Sequence, residues 1–558
     1  MTEVDAVRDP GALLGVPADE TYDVIIIGAG LTGLHQLHEL RQRGRNVRLF
    51  EAGDGVGGTW YWNRYPGARL DSESYSYAYS FSEELLQEWD WTERFASQTD
   101  LERYFNHVAD KFGLREDIQF GARVASLTWL EDENQWFAEF IDGRTVRSTY
   151  VITAIGILSA PIWPDLTGLD DYRGEWYHTA LWPDEEIDFT DKRVAVIGTG
   201  ASGIQIITEI AKTARSLAVY QRSPNWIVPL RNAPIDEAEQ LELKAHYNEF
   251  FDKLRQTTSG FVHNPEKRST FDVPEAERLA RWEHLWQEPG FAKVYSVYQD
   301  ISRDRAANAL YAAWVSDRIR ERVTDPAVAA QLIPEHDPIA VKRVPCESGY
   351  LEVFNQPNVD LISLRTTPIE RYTATGIRTD DGAEREFDMI VFATGFDAFT
   401  GAFDRIQITG NAGETLKHKW RNGPITYLGL QIADFPNLFT EVAPHNKGGQ
   451  CNIPRCSEQN VEWVTATLDY LASNGLDRME ATHEAEEAWL QHVHEGVSQT
   501  LLPDVDSYIW GSNVVGKPRA FVGYIGALPD FRDRCNRIAA EGYPGFTLTR
   551  AAERAPAS

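Results

Sequence analysis

Residues 172–183, Tyr-Arg-Gly-Glu-Trp-Tyr-His-Thr-Ala-Leu-Trp-Pro, stand between two separate glycine-rich turns, and that position decides the fold. They follow a segment punctuated by Pro161, Pro164 and Gly168 and precede Arg193-Val-Ala-Val-Ile-Gly-Thr-Gly. The stretch therefore reads as a loop leading from one nucleotide-binding unit into the next. Trp176, Tyr177 and Trp182 alone would serve as an aromatic plug under a domain joint, but glycine motifs on both flanks let such a loop sense two ligands.

On the N-terminal side, Tyr22-Asp-Val-Ile-Ile-Ile predicts a strand running into Gly28-Ala-Gly30-Leu-Thr-Gly33, then a helix to about Arg43 and a second strand, Asn46-Val-Arg-Leu-Phe, ending at Glu51. Strand before, helix after and an acid about 20 residues on make this a dinucleotide-binding βαβ unit. Gly28 and Gly30 let the backbone approach a pyrophosphate at the helix N-terminus, and Gly33 permits close packing of helix on strand. Glu51 can accept from both hydroxyls of an adenosine ribose and repels a 2′-phosphate, so the first site is read as one for FAD or NAD. On the C-terminal side, Val194-Ala-Val-Ile-Gly198-Thr-Gly200-Ala-Ser202-Gly203 repeats strand, turn and helix, but its next strand, Ser216 to Gln221, ends in Arg222 and Ser223. A cation and a hydroxyl at that place suit a 2′-phosphate, so the second nucleotide is read as NADP(H).

Between the two units, Gly55 to Asp71 is a loop in which Gly57 and Gly58 allow close approach to a ligand and Thr59, Trp60, Tyr61 and Trp62 suit a flat ring system. Asp71 is its single carboxylate since Gly55. Val124 opens the first of three alternating runs, Val124–Leu130, Trp136–Phe140 and Tyr150–Gly156, read as a β-meander. From about residue 230 to 333 the pattern turns helical, with Asp272-Val-Pro-Glu as a helix start and Leu310, Trp314, Val315 and Val323 as an apolar face. Lys342-Arg343 follows as a pair of adjacent cations, and a strand ending in Ala393-Thr394-Gly395 is expected to rejoin the first sheet. Cys451 and Cys456 have the four-residue gap of a disulfide-reductase pair, but they lie some 400 residues too late and enclose Pro454, which argues against redox chemistry there. Residues 507–519, rich in Gly and aromatics, are read as a mobile loop over a ligand.

The 558 residues are enough for three or four domain-sized units. A formal charge of −30 argues against nucleic acid or an anionic membrane as partner, so any anion site has to be built locally. The N-terminus is acidic without an apolar core, and no run approaches the ~20 apolar residues of a membrane span, which reads as a cytoplasmic protein. Four cysteines are too few for a disulfide framework in a chain this long, in keeping with a reducing compartment, and no metal is expected.

The stretch that opened this reading contains Tyr172, Gly174, His178, Trp182 and Pro183, spaced as in the fingerprint Phe-x-Gly-x-x-x-His-x-x-x-Trp-Pro with Tyr for Phe. With Gly58 to Asp71, Lys342-Arg343, Gly349-Tyr350, Phe354 to Val359, Ala393-Thr-Gly and Tyr508 to Lys517, the chain from about Tyr22 to Leu548 resembles the type I Baeyer-Villiger monooxygenases. The resemblance implies an α/β fold of two Rossmann-like dinucleotide-binding domains in a disulfide-reductase-like flavoprotein arrangement with an inserted helical subdomain. Its divisions are a lead-in (1–20), an FAD domain in two parts (21–156 and 391–558, the second with an active-site cover), an NADP domain in two parts (157–229 and 334–390) and the helical subdomain (230–333). It implies FAD, NADPH and O2, with a ketone converted to an ester or lactone by way of a peroxide on flavin C4a, and sulfide oxidation as a side activity.

By position, Asp71 and Arg343 match the family's active-site pair and Lys342 and Arg222 its NADP phosphate contacts, while Tyr508 stands where many members carry Trp. Cofactor contacts extend to Tyr77, Val124, Ser202, Gln205, Ser223 and Ile453. His178 is given no direct chemistry, only a structural or hinge role. Arginine suits the reaction because it supplies donors without being an acid: a proton lost to the peroxide would end ketone attack. The alternatives are a flavin N- or S-oxygenase, a flavin disulfide reductase using Cys451 and Cys456, and a non-catalytic binding protein on the same scaffold.

Overall fold

Val24-Ile-Ile-Ile27 offers no polar side chain to either face, so it has to be an interior strand, and all four residues are buried. At ~1.5–3 kcal/mol per buried aliphatic side chain, this strand alone fixes where the first sheet lies. The computed structural model describes residues 13–15, 17–447 and 451–550; most of the expected lead-in falls outside them, as does the end of the last domain part.

In chain order the strands of the two main sheets are β1 (Glu20–Ile27), β2 (Val47–Phe50), β3 (Ile118–Gln119), β4 (Val124–Leu130), β5 (Gln135–Phe140), β6 (Thr145–Thr153), β7 (Glu175–His178), β8 (Arg193–Ile197), β9 (Ser216–Gln221), β10 (Val359–Ser363), β11 (Met389–Phe392), β12 (Gln407–Thr409) and β13 (Leu438–Thr440). The first sheet runs β12-β4-β5-β6-β1-β2-β3, with β13 also on β6, and the second runs β10-β9-β8-β11-β7. β1 lies parallel to both β2 and β6, in register Val24 with Val47 and with Tyr150. The second sheet is parallel throughout. Two doubly wound α/β units on one chain are what the paired turns imply.

The helices that shape the site are α1 (Leu31–Gln42), α2 (Ala201–Ile210), α3 (Glu237–Arg255), α4 (Glu275–Gln287), α5 (Ala292–Tyr295), α6 (Arg305–Arg320), α7 (Pro326–Leu332) and α8 (Ile453–Ser473). α1 and α8 share one core beside the first sheet, through Leu34, Leu37, Val464 and Leu468. The inserted helices are not a separate body: Trp282, Tyr311 and Val315 are packed in the same core as Val194, Val196 and Ile204 of the second unit. No helix among the described residues is long and apolar enough to cross a membrane.

Several expectations are corrected. The stretch 172–183 is only partly loop, because its middle forms β7, which lies parallel to β11 at the edge of the second sheet. β11, the strand ahead of Ala393-Thr-Gly, likewise belongs to the second sheet and pairs β8, not to the first. It is β12 and β13 that return to the first sheet, on β4 and β6. Their runs are three residues each, too short for alternation to announce them.

Asp272 closes a capping box with Ser269 on a short 3-10 turn, and α4 starts after Pro274 without a side-chain cap. The buried face of α6 is Ala307, Tyr311, Val315 and Ile319, one turn apart, whereas Leu310 is 38% exposed. Cys451 and Cys456 are joined in a disulfide with Cα atoms 6.8 Å apart, because one precedes α8 and the other lies in its first turns. Pro454 lies at the start of that helix, where its missing N–H costs nothing, and so does not break it.

Candidate active site

Both phosphate turns are built alike. Gly28 and Gly198 have φ of 106° and 110°, and a Cβ at either would strike the carbonyl of the alanine just past the neighbouring strand, Ala154 or Ala393. Gly33 and Gly203 pack against the Gly28 and Gly198 carbonyls with no room for a side chain. Each turn ends at an N-cap glycine, Gly30 or Gly200, with no side chain over the helix end, so the first-turn N–H groups of α1 and α2 are left for an anion. Over α1, a Cβ on Gly58 would stand 2.7 Å from the Gly30 Cα, so the ring-binding loop approaches the first turn as closely as backbone allows.

Glu51, at the end of β2, is buried and accepts from the N–H groups of Ala29 and Gly53, both at 2.7 Å. Burial raises its pKa, those bonds oppose the shift, and each oxygen keeps a lone pair for a ribose hydroxyl. These features fit a dinucleotide pyrophosphate and ribose. Thr59 and Trp60 lie on the helical turn after Gly58; the Trp60 indole donates to the Tyr77 hydroxyl at 3.1 Å. Val124 is buried at the head of β4, and Ile453 begins α8.

The two units meet through the segment that carries Asp71. Tyr65 donates to the Gln205 side chain at 2.7 Å and Gln205 donates to the Arg69 carbonyl at 3.2 Å, which lays residues 65–71 along α2. Ser202 lies on the same helix, half-buried. Asp71 and Arg343, 272 positions apart, thereby come to 3.9 Å, beyond hydrogen-bond length. Asp71 is 9% exposed, one of its oxygens has no partner, and burial raises its carboxyl to about 6, with Arg343 and the Cys346 N–H pulling the other way. A third of the Arg343 side chain is exposed, and its guanidinium carbon lies 4.7 Å from the Phe291 ring centre. Tyr295 and Tyr508 lie close enough to act on it electrostatically.

At the second turn Arg222 is exposed and Ser223 half-buried. Lys342 points away, ion-paired with Asp337 at 2.5 Å. A residue the sequence reading missed stands there instead: Arg365, just past β10, donates to the Ser223 hydroxyl at 3.3 Å. Only the pairing of β10 with β9 reveals it, since no spacing links residues 142 positions apart. Tyr172 donates to the Phe387 carbonyl at 3.0 Å, and Trp182 is buried. His178 accepts from the Ala180 N–H on Nδ1, so Nε2 carries the proton toward the Ile162 carbonyl and Thr394, both at 3.2 Å. Burial lowers its pKa, and it ties the junction to the segment after β11 as a neutral ring. In the loop at 507–519, Lys517 is ion-paired with Asp397 at 2.7 Å and Asp404 at 2.6 Å.

Two dinucleotide turns with a carboxylate and a guanidinium drawn together between them define a two-cofactor oxidoreductase. Residues 21–254 match the model of the flavin-binding monooxygenase-like family. An acetone monooxygenase (methyl acetate-forming) of Gordonia sp. (strain TY-5) is 39% identical over 95% of this chain and 99% of its own. The phenazine N-monooxygenase PhzNO1 of Lysobacter antibioticus is 37% identical over 94% and 97%. Among solved structures, the OTEMO complex with FAD and NADP superposes with a TM-score of 0.92 at 40% identity, covering 95% of this chain and 99% of that one. The chain belongs to the flavin-binding monooxygenase-like family, and within it to the Baeyer-Villiger type that the junction motif resembles.

Proposed function

We propose that the protein binds FAD at the first turn and NADPH at the second and converts a ketone and O2 to an ester or lactone. The observation that carries this is the approach of Asp71 and Arg343 to 3.9 Å, on a segment that the Tyr65–Gln205 and Gln205–Arg69 hydrogen bonds lay along the second unit's helix α2. Gly28, Gly30 and Glu51 would hold the FAD pyrophosphate and adenosine ribose, and Trp60, Tyr77 and Ile453 its ring. Gly198, Gly200, Arg222, Ser223 and Arg365 would hold NADPH, with Lys342 joining if it leaves Asp337. When bound and reduced, FAD supplies activated oxygen.

Arg343 then offers fixed N–H donors to the oxyanion that forms when the ketone carbonyl is attacked, and it remains charged throughout. Asp71 fixes the direction of that fork. We read the chain as divided into FAD, NADP and helical parts and as a cytoplasmic protein. Oxygenation at nitrogen or sulfur is the second reading, supported by the phenazine N-monooxygenase among the relatives. Such a reaction creates no carbonyl oxyanion, so it gives Arg343 no task.

The purified protein should be yellow and bleach anaerobically much faster with NADPH than with NADH. Under air, gas chromatography of acetone, cyclopentanone and cyclohexanone reactions should show the ester or lactone. No such product from any ketone, together with an N-oxide from aromatic amines, would replace the first reading by the second.

A further inference from the structure

The inserted helices place an aromatic ring under the Arg343 guanidinium. α5 is a single turn whose flanking Phe291 and closing Tyr295 lie four residues apart on one face, with ring centres 5.3 Å from each other. Phe291 is fully buried and lies under the guanidinium. Tyr295 is stacked on Phe261 at 4.9 Å and 14°, so its ring is held on both sides. The turn itself is pinned: Lys293 donates to the carbonyls of Glu288 and Gly290, and Tyr311 donates to the Lys293 carbonyl at 2.6 Å.

This ordering fixes the Tyr295 hydroxyl, which has no hydrogen-bond partner among the described residues, on a half-buried side chain next to the Phe291 ring that underlies Arg343. Burial pushes the phenol up to about 12 even though the Arg343 charge pulls it down, so at neutral pH it is an O–H donor that keeps its proton.

We propose that the Tyr295 hydroxyl is a second hydrogen-bond donor to the carbonyl oxygen of the ketone, beside the Arg343 guanidinium, a role that rests on the ketone reading above. The two donors differ in kind. Arg343 brings charge, whereas Tyr295, on a clamped ring, brings direction, so a carbonyl satisfying both lies in one orientation only. A thioether has no oxygen to offer before reaction and gains nothing from the phenol.

The test is Tyr295→Phe in the FAD-loaded enzyme, with cyclohexanone and methyl phenyl sulfide assayed side by side and flavin reduction by NADPH followed separately. Losing one neutral donor should lower kcat/KM for the ketone roughly tenfold and raise hydrogen peroxide per NADPH. Sulfide oxidation and flavin reduction should stay near wild type. Tyr295→His, which restores an N–H donor, should recover part of the ketone-to-sulfide ratio; if Tyr295→Phe loses FAD, Tyr295→His against Tyr295→Leu gives the same contrast. An unchanged ratio in Tyr295→Phe, or an equal fall with both substrates, would overturn the donor role while leaving ketone oxygenation standing. A wild type that makes no lactone would sink both together.

Discussion

At the scale of single residues, Asp71 is a buried carboxylate whose burial Arg343 only partly offsets. Its carboxyl titrates near 6 in the folded chain, against about 3.9 in an unfolded one, because burial outweighs the pull of Arg343 at 3.9 Å. A folded pKa raised in this way favours the native state below pH 4, and that advantage is lost as pH rises through 6. Two units correspond to at most about 3 kcal/mol at pH 8. Asp71→Asn should therefore melt higher than wild type at pH 8 and level with it at pH 4, while forming less ester. A variant less stable at both pH values would mean that the carboxylate is held by partners that keep it charged.

The places of Glu51 and Arg222 could be read from the sequence, because each closes the second strand of its own unit. Tyr295 could not, since an aromatic in a helical stretch gives no sign of which ring clamps it or what its hydroxyl faces.

At the scale of elements, the legible parts were those whose pattern lies within one segment. β1 to α1 and β8 to α2 are continuous and apolar, and their turns carry glycine where a Cβ would meet a carbonyl. Pairings between distant short strands are not: local pattern gives β7 as loop and β11 to the first sheet, because four residues at a sheet edge take their structure from a neighbour. The same blindness hid Arg365, which the pairing of β10 with β9 sets beside Ser223. Arg365→Ala should raise the KM for NADPH about tenfold with little change in kcat or in the KM for NADH, the pattern of a lost 2′-phosphate contact. Equal effects on both coenzymes would move the phosphate site away from β10.

At the scale of the whole molecule, the site is assembled from parts that no single unit contains. The first unit sends residues 65–71 across to α2, which carries Asp71 to Arg343, and the inserted helices supply Phe291 beneath it. The junction is locked between them by a neutral His178 on Ile162 and Thr394. Arg343 is thus the point where three parts of the chain meet, and under the proposed function its task would begin only after oxygen has reacted.

Arg343→Ala tests this most directly, through ester and hydrogen peroxide counted per NADPH consumed with cyclohexanone as substrate. The variant should keep FAD and still be reduced by NADPH, yet form essentially no lactone and release its electrons as hydrogen peroxide; lactone at near wild-type coupling would show that some other group stabilises the oxyanion.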